Sequence, residues 1–141
     1  MLTLICGIPN SGKTTYSRMY NSVIHLDDYF RIGQPNRNYC EVVSSVVGDV
    51  CIEGVFGLKD MRTDIITACK HHDRKVCIWL DTPIEECIRR ELEYRQRPLG
   101  VVDTHHKMFQ PPTYEEGWDE IIIIRFVNID NNDIIVVQDY E

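Results

Sequence analysis

The chain has 141 residues, 43% of them hydrophobic and 26% charged, which suits a single soluble domain built around one core. No apolar run is long enough to cross a bilayer. The formal net charge of −7 argues against a protein that grips long nucleic-acid tracts through a basic face, so any such contact must be local. The N-terminus lacks the basic head and apolar run of a signal peptide, which predicts a cytoplasmic protein. Cysteines at 6, 40, 51, 69, 77 and 87 form no CxxC pair and read as small core residues.

In chain order, "LTLICG" reads as a first strand, followed by a glycine loop and a helix over Lys13–Tyr20. "SVIHLDD" is a second strand ending in carboxylates. Residues around Arg37–Val47 carry Cys40, Val43, Val46 and Val47 at helical spacing. "DVCIEG" is a third strand, and Leu58–His71 places Leu58, Met61, Ile65, Ala68 and Cys69 on one helical face. "KVCIWLD" is a fourth strand. The helix after it starts near "DTPIEE", with Thr82 as N-cap, Pro83 in the first turn and acids behind it. "EIIIIRF" is a fifth strand, and "DIIVVQ" is a candidate edge strand. Continuous apolar strands separated by helices predict a three-layer α/β/α fold around a central, mostly parallel five-stranded sheet. Ligands in such sheets bind at the carboxyl ends of the strands, where Gly7–Thr14, Asp27–Asp28, Glu53 and Asp81 should converge.

The stretch Gly7-Ile8-Pro9-Asn10-Ser11-Gly12-Lys13-Thr14 fits G-x-x-x-x-G-K-[ST] without deviation, between a strand and a helix. Glycines let the backbone wrap an anion with its N–H groups inward, and the following helix adds its positive end. Gly7, Asn10, Ser11, Gly12, Lys13, Thr14 and Thr15 are the expected contacts to a nucleoside triphosphate such as ATP. Lys13 would reach the β- and γ-phosphates, and the Thr14 hydroxyl would hold Mg²⁺. Phosphoryl transfer to a hydroxyl also needs a base and a cation for the acceptor. Asp27 or Asp28 could supply the first and Arg31 the second, as a bidentate phosphate clamp. Glu53, at the end of strand three, is the candidate for ordering the water shell of Mg²⁺. "IRRELEYRQRP" holds Arg89, Arg90, Arg95 and Arg97 with Glu91 and Glu93. It reads either as a lid closing arginines over the transferring group or as an exposed helix with intrahelical ion pairs.

The order GIPNSGKTT, DDYFR, LDTPIEECIRR…RQRP and MFQPPTYEEGWDEI resembles the 5′-hydroxyl polynucleotide kinase domain of phage end-healing enzymes and polynucleotide kinase-phosphatases. The segment Phe109-Gln110-Pro111-Pro112-Thr113 with Glu116-Gly117 carries much of the likeness, which spans nearly the whole chain. The resemblance implies a P-loop kinase fold over residues 1–141, an NTP·Mg²⁺ donor and transfer to a 5′-hydroxyl of DNA or RNA. It matches Asp-x-x-Arg to Asp28-Tyr29-Phe30-Arg31, making Asp28 the base and Arg31 the clamp; an alignment on the double Asp selects Asp27 instead. Lid arginines map onto Arg90, Arg95 or Arg97. The acidic charge leaves a small hydroxyl acceptor, such as a nucleoside or metabolite, as the alternative, and a non-catalytic NTP-binding module as a further one. Oligomeric state is open.

Overall fold

A computed structural model describes residues 1–29, 39–94, 96–98, 100–125 and 138–139; Arg31 and Arg95 lie outside these. Strand β1 (Leu2–Cys6) leads through the glycine loop into helix α1 (Lys13–Ser17). Strand β2 (Val23–His25) runs into a 3₁₀ turn at Leu26–Tyr29. Then come α2 (Tyr39–Ser44), β3 (Val50–Glu53), α3 (Lys59–Ala68), β4 (Lys75–Leu80) and α4 (Ile84–Tyr94). Helix α5 (Gly100–Met108), a 3₁₀ turn (Tyr114–Glu116), β5 (Glu120–Ile124) and β6 (Gln138–Asp139) complete the described chain.

The sheet order is β2-β3-β1-β4-β5-β6. The first five are parallel, and β6 pairs antiparallel with β5 at Ile124↔Gln138. Strands β1 and β3 are buried along their whole length, which is why they read as continuous apolar runs rather than alternating ones. The side-chain period of two divides them between two cores. Leu2, Leu4 and Cys6 meet Val43 of α2 with Ile65 and Cys69 beyond it, while Ile5, Cys51 and Ile78 meet Tyr16 of α1 on the other face. A third cluster, Ile8, Cys87 and Val102, fastens the glycine loop to α4 and α5. All six cysteines are free thiols, and five of them fill buried positions. No helix among the described residues is long and apolar enough to cross a membrane.

Several local expectations shift. The second strand stops at His25, so Asp27 and Asp28 stand on the 3₁₀ turn rather than at a strand end. Helix α4 ends at Tyr94 and does not run on to Pro98. Helix α5 was not foreseen, because "GVVDTHHKM" has no clear apolar period. The edge strand expected over 133–138 is described only from Gln138.

One polar pair sits inside the core. Arg62 of α3 donates from Nε and Nη2 to Glu116, at 2.7 and 3.0 Å, with both side chains fully buried. Glu116 also accepts from the Thr113 backbone and from Trp118 Nε1. The third arm of Arg62, Nη1, donates to the Phe56 carbonyl at 2.7 Å. Phe56 has φ 41°, a left-handed conformation costing a bulky residue about 1–3 kcal/mol, and the Arg62 bond helps to hold it there. The Pro-Pro-Thr…Glu-Gly segment thus packs the scaffold beneath the loop that follows β3.

Candidate active site

The glycine loop is shaped by what cannot fit in it. A Cβ at Gly7 would lie 2.8 Å from the Leu80 carbonyl oxygen and 2.5 Å from Ser11 Oγ, so any side chain would push the loop off β4. Gly12 (φ 102°) and Asn10 (φ 67°) take left-handed conformations that glycine and asparagine adopt most readily. Lys13 Nζ donates to the Ile8 carbonyl at 2.9 Å, folding the lysine back over its own loop. Ser11 Oγ is buried and makes no hydrogen bond among the described residues, so a polar atom at the base of the loop is left over.

Helix α4 braces this loop from outside. Thr82 Oγ1 donates to the Ser11 carbonyl at 2.7 Å. Its assignment as an N-cap is corrected by the helix boundary: α4 starts at Ile84, so Pro83 holds the capping place, its carbonyl accepting from the Glu86 and Cys87 N–H groups. Arg90 is 1% exposed, with Nη1 donating to the Asn10 carbonyl at 2.7 Å and Nε to Glu86. It positions the loop and does not line the cavity described next. Arg89 pairs with Glu86 and Glu93 along the helix surface, the intrahelical pattern that the sequence also allowed.

A cavity of about 370 Å³ opens over the loop, lined by Asn10, Gly12, Lys13, Thr14 and Thr15 together with Asp27, Glu53 and Arg97. These residues come from the ends of β1, β2 and β3 and from the segment after α4, as a parallel sheet arranges its ligand edge. Burial pushes the Lys13 ammonium below the usual lysine range; Glu53 and Asp27 oppose that, and Arg97 adds to it. Glu53 is fixed by His25, whose Nδ1 lies 2.6 Å from Oε1, because the β2–β3 register sets these two residues side by side. Arg97 Nη1 donates to Asn10 Oδ1 at 3.0 Å and to Glu91 at 3.3 Å. Glu91 is the hub here: buried, it also accepts from the backbone N–H of Gln96 (2.8 Å) and Arg97 (3.1 Å) and from Asn10 Nδ2. These donors hold its carboxyl below the usual range although burial pulls it up.

Of the two acids, Asp27 lines this cavity and also a second one of about 320 Å³, enclosed by the loop after β3 and by α5. Asp28 lines neither. His105 of α5 faces the second cavity; burial, Lys13 and Arg97 lower its pKa, with Asp27 pulling the other way. Asp81, expected at the same edge, pairs instead with Arg125 and lines a separate hollow with Trp79 and Phe109, whose rings stack at 5.7 Å. Burial raises the Asp81 pKa against the pull of Arg125. His25, Glu91 and His105 were missed by the sequence reading. Only Glu91 left a local signal, four residues after buried Cys87 on the inner face of α4.

No family model matches the chain. Solved structures do. A Chaetomium thermophilum Kti12 in complex with ADP-AlF3 superposes with a TM-score of 0.65 at 14% identity, covering 94% of this chain and 93% of that one. A gluconokinase from Sinorhizobium meliloti gives 0.62 at 10% identity over 89% and 82% of the two chains. A Janibacter sugar kinase gives 0.56 at 14% identity over 88% and 84%. At these identities the likeness is one of fold, and the chain has the three-layer α/β/α fold of P-loop kinases.

Proposed function

We propose that the protein is an NTP-dependent kinase that transfers the γ-phosphoryl group to a hydroxyl, with Asp27 as general base. The observation that carries this is the Asp27 carboxylate, shared by the cavity over the glycine loop and the cavity beside it. A hydroxyl held in the second cavity would meet its base at the mouth of the first. The Kti12 neighbour binds ADP-AlF3, and a gluconokinase and a sugar kinase share the fold, which supports a nucleotide in the loop and an alcohol as acceptor.

The residues divide the work as follows. The loop backbone holds the phosphates, and Lys13 exchanges the Ile8 carbonyl for a phosphate oxygen. Arg97, tethered by Glu91 and Asn10, places a guanidinium on the cavity wall where charge develops. Thr14 Oγ1 would hold Mg²⁺ directly and Glu53 through water; oxygen donors with phosphates are the set this ion prefers. When bound, the ion neutralises charge on the β- and γ-phosphate oxygens. Asp27 takes the hydroxyl proton as the oxygen attacks, a role it performs best as an ionised carboxylate.

A polynucleotide 5′-end remains the second reading of the acceptor, favoured by the motif order and by the Asp-x-x-Arg spacing that ends at Arg31. The net charge of −7 works against it. Incubation with γ-labelled ATP and a panel of 5′-hydroxyl oligonucleotide, nucleosides, gluconate and other alcohols tests the proposal. Asp27→Asn should lower turnover by about 10²–10⁴, the usual worth of a general base, while nucleotide binding survives. Asp28→Asn should retain most activity. Undiminished turnover in Asp27→Asn would remove it from the role, and nucleotide binding without labelled product from any acceptor would leave a non-catalytic NTP-binding module.

A further inference from the structure

The second cavity differs in character from the first. Its wall is Leu26, Val55, Phe56, Leu58, Met61 and Met108, and its polar groups are Asp27 at one end with Thr104 and His105 on α5. Among the described residues lining it there is no lysine or arginine. Its volume of about 320 Å³ equals on the order of ten waters, room for a body of one or two rings. An apolar or aromatic face would displace water from Leu58, Met61 and Met108, the wall residues that keep exposed surface.

The floor is also built to stay in place. Phe56 is fully buried, edge-on to Tyr39 with ring centroids 6.2 Å apart, and its carbonyl is turned away from the cavity onto Arg62. A Cβ at Gly57 would press within 3.1 Å of the Phe109 ring, so the backbone runs close under that ring at this point. The backbone polar groups at this turn are likewise engaged, the Gly57 carbonyl accepting from the Gln110 N–H at 2.8 Å.

We infer that the acceptor is a small alcohol with an apolar or aromatic body, seated against Leu58, Met61 and Met108 with its hydroxyl at Asp27. This rests on the kinase reading above. The alcohol oxygen forms a bond to the γ-phosphorus as the bond from phosphorus to the β–γ bridging oxygen breaks. The electron pair leaves with the nucleoside diphosphate, and the hydroxyl proton goes to Asp27.

Two readouts test it on the full chain. With γ-labelled ATP, benzyl alcohol and a nucleoside should be phosphorylated with kcat/KM at least about tenfold above gluconate, glycerol or a 5′-hydroxyl oligonucleotide, the discrimination a hydrophobic pocket provides. Methyl NMR reads binding without chemistry. The chain has four methionines, of which Met61 and Met108 line this cavity while Met1 and Met19 line another by the start of β1. With a non-hydrolysable ATP analogue present, benzyl alcohol should shift the Met61 and Met108 methyl resonances and leave Met1 and Met19 in place. Met61→Glu should raise the acceptor KM about tenfold or more, and Met61→Leu should restore it. Transfer to gluconate or oligonucleotide with no methyl shift from benzyl alcohol overturns this inference and leaves the kinase reading standing. Methyl shifts at Met61 and Met108 with no transfer to any alcohol support the cavity's preference and sink the kinase reading. Neither shift nor transfer overturns both.

Discussion

Breaking the Arg62–Glu116 pair should be among the most costly substitutions available. Glu116→Leu strands a fully buried guanidinium with one remaining partner, the Phe56 carbonyl. It also leaves the Trp118 and Thr113 donors without their acceptor. Removing one member of a buried pair costs about 3–5 kcal/mol. Against a total stability of about 5–15 kcal/mol that is a fifth or more of the fold. With a urea slope of about 2 kcal/mol/M, the midpoint should fall by about 2 M. The double variant Arg62→Met/Glu116→Leu removes both charges and replaces them with apolar groups of similar size. Its residual loss comes from the Phe56 carbonyl and the Trp118 and Thr113 N–H groups left unsatisfied, about 1–3 kcal/mol for each that water cannot reach, and these losses are already contained in the singles. The singles should therefore exceed the double in sum, with a coupling of at least about 2 kcal/mol in the cycle. Acid gives an independent check. Burial pulls the Glu116 carboxyl up, but the Arg62, Thr113 and Trp118 donors outweigh it and hold the group below the ordinary glutamate range. A depressed folded pKa stabilises above the unfolded value, so this contribution is full above about pH 4.3 and is lost as pH falls below it. The double variant should lack that acid-dependent loss. Additive single substitutions, or a Glu116→Leu cost under about 1 kcal/mol, would refute the reasoning.

Two further outcomes follow from the site. Gly7→Ala forces a methyl against the Leu80 carbonyl at 2.8 Å, so the loop must move; calorimetry should show ATP affinity reduced by about tenfold or more, and unchanged affinity would mean the loop is not held against β4. Glu91→Gln places an amide where four donors converge, so the turn carrying Arg97 should loosen and the KM for ATP rise by about tenfold, while Glu93→Gln, on the outer face, should do neither.

The phosphate loop and the sheet were legible because their signals are contiguous: one octapeptide, and apolar runs that need no partner to be recognised. The site residues that were missed acquire their meaning from partners far along the chain. Arg62 lies on an otherwise ordinary amphipathic helix, and only Glu116, 54 positions later, explains why its charge is buried. His25 reads as one polar residue in a short strand until the β2–β3 register sets it beside Glu53. Thr82 makes the same point more sharply. Its position before Pro83 and two acids satisfies every local rule for an N-cap, yet its hydroxyl bonds Ser11, 71 positions earlier. Helix α4 starts one residue further on than that rule expects, at Ile84, with the Glu86 and Cys87 N–H groups donating to the Pro83 carbonyl. The Thr82 hydroxyl is buried, and the Ser11 carbonyl accepts its proton. The acceptor for that proton is brought to it only by the folded loop, which no local pattern displays. Tertiary need therefore overrides local propensity where the phosphate loop is anchored, and a threonine in that place is better read as a candidate brace for the loop than as a cap.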